Sequence, residues 1–97
     1  MGYSIVDPDE LEPTEDYHCD RRSITGASGL TNLHLARYTM APGEQLAREY
    51  HYHELREEAF YVLDGTLHVE TPENEYVVEA ESVFVADPHS AHRAYNP

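Results

Sequence analysis

Runs of strand length, rich in β-branched and aromatic residues and set roughly eight to ten residues apart, fill the second half of this chain. Ala59-Phe60-Tyr61-Val62-Leu63 leads through Asp64-Gly65 into Thr66-Leu67-His68-Val69-Glu70. Asp-Gly between two apolar runs is a hairpin signal, which puts Glu58 at the hairpin's entrance and Gly65 at its tip. Pro72 to Glu75 marks the next turn, followed by Glu75 to Glu79, Val83 to Ala86 and Arg93 to Tyr95. Leu33 to Met40 is the first convincing strand, and Tyr3 to Val6 reads as a short one near the start. Between them, Asp7 to Asp20 is acidic, holds Pro8 and Pro13, and reads as an irregular arm. Ser23 to Gly29 reads as a loop. No long amphipathic helix, internal repeat or phosphate-binding glycine loop is present. The pattern predicts an all-β sandwich or barrel, divided into an N-terminal arm over residues 1–29 with a short strand and a β-barrel domain over residues 30–97.

Strand side chains alternate between faces, so residues two apart point the same way. If His51-Tyr52-His53 is a strand, the two imidazoles stand together and Tyr52 faces away. Glu58 follows five residues later and His92 far downstream. Two neutral imidazoles and a carboxylate suit a first-row divalent metal, and a third histidine completes a four-ligand set. The plainer alternative is a pair of surface histidines in a polar loop, because His-x-His alone is a weak signal. The same parity puts Glu58, Phe60 and Val62 on one face and Tyr61 and Leu63 on the other. His92, Ala94 and Asn96 share a face, with Arg93 and Tyr95 opposite. Tyr50, Tyr52 and Tyr61 fall on the opposite parity from the ligands, where they pack between sheets or cover a subunit interface. Arg37 reads as a surface arginine in preference to one that reaches a substrate carboxylate.

These residues resemble the cupin family. Its first motif, G-x5-H-x-H-x(3,4)-E-x6-G, is met in register by His51, His53, Glu58 and Gly65, with Gly43 two residues further upstream than the motif asks. Its second motif, G-x5-P-x-G-x2-H-x3-N, resembles Glu81 to Asn96. His92 and Asn96 match there. Glu81 stands in place of the first glycine, Pro88 falls one residue late, and His89 occupies the second glycine position. A glycine in such a place usually serves a tight turn that a side chain would strain. The resemblance covers roughly residues 30–97. It implies a double-stranded β-helix, or jelly-roll barrel, with His51, His53, Glu58 and His92 holding one divalent transition metal. Iron, manganese, nickel, cobalt and zinc all suit those ligands.

By the same resemblance the metal sits in the barrel mouth, ringed by Phe60 and Val62, where a small molecule binds. Core packing is the preferred role for those two side chains. The family's activities span dioxygenases, isomerases, decarboxylases and epimerases, and no catalytic residue or organic cofactor stands out here. His89 is open to three readings: a fifth ligand, an acid–base group, or a turn residue exposed to solvent, the last preferred. Three functional readings follow: a metal-dependent enzyme such as a dioxygenase or isomerase, a non-catalytic barrel that binds or senses a small molecule, or a structural barrel without a working site.

Charge narrows the partners. Nineteen acidic residues face six basic ones, all arginine, for a net charge of −13. Such a field repels phosphates, which excludes nucleic acid as a partner. The absence of lysine favours a surface adapted to concentrated intracellular salt, as in a halophile, over a merely acidic protein with an interaction tail. No apolar stretch reaches the length of a membrane span, and Met1-Gly2-Tyr3 opens no secretion signal. Cys19 is the only cysteine, which points to a reducing cytoplasm, and its acidic neighbours disfavour a nucleophilic thiolate. The chain stops at Pro97, where the family's barrel usually offers a further strand. Either Tyr3 to Val6 or a second copy covers that edge, and a homodimer is expected.

Overall fold

The computed structural model describes residues 2–46 and 55–97. The expected strand at His51-Tyr52-His53 lies outside the described residues, as do Tyr50 and Arg48. Contacts group the chain into two compact units, Met1–Thr39 and Met40–Pro97.

In the first unit, β1 (Asp20–Ser23) pairs antiparallel with β2 (Ala36–Thr39), Arg22 opposite Arg37. Arg22 organises the acidic arm. Its guanidinium donates to the Asp20 carboxylate and, through one nitrogen, to the carbonyls of Pro8, Asp9 and Leu11. Those carbonyls frame a single 3₁₀ turn, Pro8–Glu10, capped by Asp7. Between the strands lies α1 (Ile24–Ser28), where the sequence reads as a loop. Ser23 Oγ accepts from the Gly26 amide at 2.9 Å and Gly29 closes the turn in the left-handed region. These are ordinary cap signals, but five residues are too few to show helical periodicity. The strand expected over Tyr3 to Val6 does not form: Tyr3 is 98% and Ile5 100% exposed, and no strand pairs with them among the described residues. The first strand is also shorter than Leu33 to Met40, because only residues 36–39 find partners on β1.

Among the described residues the second unit is two antiparallel sheets. β3 (Glu58–Tyr61) pairs with β6 (Val83–Ala86), and β4 (Thr66–Glu70) lies between β5 (Glu75–Glu79) and β7 (Arg93–Tyr95). The expected hairpin through Asp64-Gly65 is therefore corrected. Gly65, at φ 72°, carries the chain from one sheet to the other, not back along the same one. The chain's hairpin here is β4–β5, closed by the Thr71–Asn74 turn, in which the Thr71 amide donates to the Asn74 carbonyl at 2.8 Å. Residues 43–46 run beside β7, with Leu46 N–H donating to Ala94 O at 2.9 Å and Gln45 bridging to Tyr95.

The core follows the alternation of the strands. Leu67 and Val69 on β4 are buried, as are Val78 on β5 and Ala94 on β7, and Val69 is fully enclosed at 0% exposure. Val62 and Ala86 are buried beside the β3–β6 pair, while Tyr61 and Leu63 are exposed, as parity requires.

Candidate metal centre

Two inward positions on different sheets meet at the centre of the second unit. Glu58 opens β3 and His92 precedes β7. His92 is the buried polar residue of the described core, only 2% exposed. Such burial is tolerated because both ring nitrogens are engaged. Nδ1 lies 2.8 Å from the Ser90 carbonyl and Nε2 lies 2.6 Å from Glu58 Oε1. A carbonyl can only accept, so Nδ1 carries a hydrogen and Nε2 is the nitrogen presented to the carboxylate. The Phe60 ring stands edge-on to the imidazole at 5.7 Å and the Phe84 ring lies 6.4 Å away. The Glu58 hydrogen bond holds the His92 pKa above its ordinary value, the Ser90 contact adds to this, and burial opposes it.

A metal-binding imidazole needs this arrangement: one N–H fixed on a backbone acceptor, the other nitrogen aimed at the centre. Here Nε2 and Glu58 Oε1, 2.6 Å apart, are turned toward each other as two donor atoms that converge on one point. Glu58 and His92 fit a divalent transition metal in donor type, and their two donor atoms converge. Of the four expected ligands, Glu58 and His92 are brought together. His51 and His53 lie outside the described residues, and among the described residues no three His, Cys, Asp or Glu side chains gather into a metal-holding group.

A groove of about 650 Å³ reaches His92. Tyr76 and Phe84 supply its apolar wall, 5.6 Å apart between ring centroids. Glu73, Asp87 and His89 supply its polar rim. Phe60 and Val62 take the core-packing role preferred for them and do not line the groove, Val62 being buried and Phe60 lying against Phe84 at 6.2 Å. His89 is exposed and takes φ 68°, and Glu81 takes φ 72°. Both fill left-handed positions at which the second motif has glycine.

Asn96 has a role the spacing alone did not give. Its side chain donates to Met40 O at 2.9 Å, while its own amide donates to Glu44 O and its carbonyl accepts from Gly43. It pins residues 40–44 to the end of β7. Ser90 and Phe84 were also missed by reading motifs. Counting parity along Val83 to Ala86 finds Phe84, but a backbone carbonyl such as that of Ser90 leaves no mark in a sequence.

The family model described as Cupin domain matches residues 36–97, which takes in β2 and both sheets of the second unit. No curated protein matches the chain.

Proposed function

The chain belongs to the cupin domain family, and we propose that it is a metal-binding cupin that binds or acts on a small organic molecule. The observation that carries this reading is the convergence of His92 Nε2 and Glu58 Oε1, with the imidazole fixed from behind by Ser90. In this reading His51, His53, Glu58 and His92 hold one divalent transition metal, which when bound supplies a Lewis acid or a redox centre. Glu58 lowers the net charge of the site, Phe60 and Phe84 keep bulk water from the imidazole, and His89 stands on the groove rim as the one acid–base candidate we assign.

The wider setting is part of the same proposal. Tyr61, Leu63, Val83 and Val85 are exposed on the outer face of the β3–β6 sheet, which supports a homodimer. The buried thiol of Cys19 and the lysine-free, acidic composition support a reducing cytoplasm rich in salt. Among the described residues no helix is long and apolar enough to cross a membrane.

Elemental analysis of the protein and three variants tests the metal reading. One metal per chain is expected in the parent and in His89→Ala, with loss in His51→Ala and His92→Ala. Circular dichroism on each variant separates loss of the site from loss of the fold. A folded His92→Ala protein that retains the parent's metal content overturns the ligand assignment.

A further inference from the structure

We propose that the groove beside His92 takes an organic ammonium ion with an apolar body, in preference to a carboxylate or phosphate, an assignment that rests on reading this site as the ligand pocket. The polar rim is built from two separate turns. Glu73 comes from the Thr71–Asn74 turn, and Asp87 from the loop in which the Ser90 amide donates to the Asp87 carbonyl at 3.2 Å. Both residues line the same groove as Tyr76 and Phe84, whose ring planes are inclined at 56° to each other. Carboxylates attract a cation by charge, and aromatic faces attract it through the ring quadrupole. The rings also shelter the apolar part of such a ligand.

The cationic residues do not balance this rim. Among the described residues no arginine lines the groove, and the chain has no lysine. Arg93 follows His92 directly but is turned to the other face of its sheet. There it donates to Glu70 at 3.1 Å and Gln45 at 2.9 Å, and its guanidinium lies 4.1 Å from the Tyr95 ring centroid. An anionic ligand entering the groove therefore meets Glu73, Asp87 and the field of a chain of net charge −13, with no opposing guanidinium on the wall among the described residues. A metal held by Glu58 and His92 behind the groove would have its charge offset in part by Glu58, which leaves selection at the rim to the carboxylates and rings.

Isothermal titration with size-matched probes tests this. Benzyltrimethylammonium and 3-phenylpropionate are titrated into the metal-loaded protein at the lowest salt at which circular dichroism shows the fold intact. The ammonium probe is expected to bind at least about tenfold tighter. In a Glu73→Gln/Asp87→Asn variant, both changes being at exposed positions, the preference should fall toward equality with metal content unchanged. Equal or tighter binding of the carboxylate, a preference that survives the double substitution, or binding of neither probe overturns the assignment. Metal content measured on the same samples keeps the two readings apart. A full metal complement with carboxylate preference sinks the ligand class alone, and ammonium preference without metal sinks the metal reading alone.

Discussion

Glu81 and His89 hold backbone conformations that suit glycine better than any L-residue. Gly65 and Gly43, the glycines of the first motif, sit at φ 72° and 89°; Glu81 and His89, in the glycine places of the second, sit at 72° and 68°. The turn geometry is therefore kept while the residue type has changed, which is why the second motif looks degenerate as text and regular as backbone. A left-handed conformation costs an L-residue about 1–2 kcal/mol, and a glycine gives back about 0.5–1 kcal/mol in unfolded-chain entropy. Glu81→Gly and His89→Gly should thus each stabilise the fold by about 0.5–1 kcal/mol, read as a higher urea midpoint. A lower midpoint for either would mean that its side chain contributes more than its backbone costs. His92 gives a second residue-scale expectation. Its pKa in the fold is raised, first by the Glu58 hydrogen bond, so in the metal-free protein its contribution is fully present below about 6.5, the ordinary histidine value. That contribution is lost as pH rises through the elevated folded pKa. Metal runs the other way, because Nε2 must shed its proton to bind. The melting-temperature difference between metal-free parent and His92→Asn should therefore shrink as pH rises from 6 to 8, while metal affinity of the parent increases. A difference independent of pH would show that the Glu58–His92 pair carries no shared proton.

Elements divide by how local their determinants are. The strands were legible because alternation is a local property: Leu67 and Val69 are buried on β4 with Thr66 exposed, and on β3 Glu58 and Phe60 turn inward while Ala59 and Tyr61 face solvent. The Thr71–Asn74 turn was legible for the same reason. Pairing was not. Asp64-Gly65 has the chemistry of a hairpin tip, and the same left-handed glycine serves equally well at a corner between sheets. The choice is made by non-local packing, with Phe60 opposite Phe84 and Glu58 opposite Ala86 on β6, more than 20 residues downstream. The five-residue α1 was hidden by its length, and Tyr3 to Val6 had strand composition without a strand partner among the described residues. The candidate site shows the same division. The chemistry of Glu58 and His92 could be read from spacing, but their meeting needed β3 and β7 to fall in different sheets. The groove could not be read at all, because Glu73 and Tyr76 belong to no motif, Asp87 only displaces the second motif's proline, and the three converge only through the β4–β5 turn and the loop before β7.

For the whole molecule, charge is the largest influence on stability outside the core. A net charge of −13 on 97 residues opposes compaction by self-repulsion. The arginines relieve it only locally: Arg22 pairs with Asp20, Arg37 with Asp9 and Arg93 with Glu70, all with partly exposed side chains. Exposed pairs of this kind contribute about 0–1 kcal/mol each. Added salt weakens those pairs, and it also weakens the far more numerous carboxylate–carboxylate repulsions, since the screening length falls from about 10 Å at 0.1 M to about 3 Å at 1 M. With nineteen acids against six arginines, the second effect is the larger. The melting temperature should therefore climb between 0.1 and 2 M potassium chloride. If a second copy covers the exposed Tyr61, Leu63, Val83 and Val85 face, two like-charged chains must also be brought together, so the sedimentation mass should shift from one chain toward two over the same range. A flat melting temperature would remove the argument for a salt-adapted surface. A single-chain mass at 2 M salt would remove the dimer and leave that apolar face uncovered by a second copy.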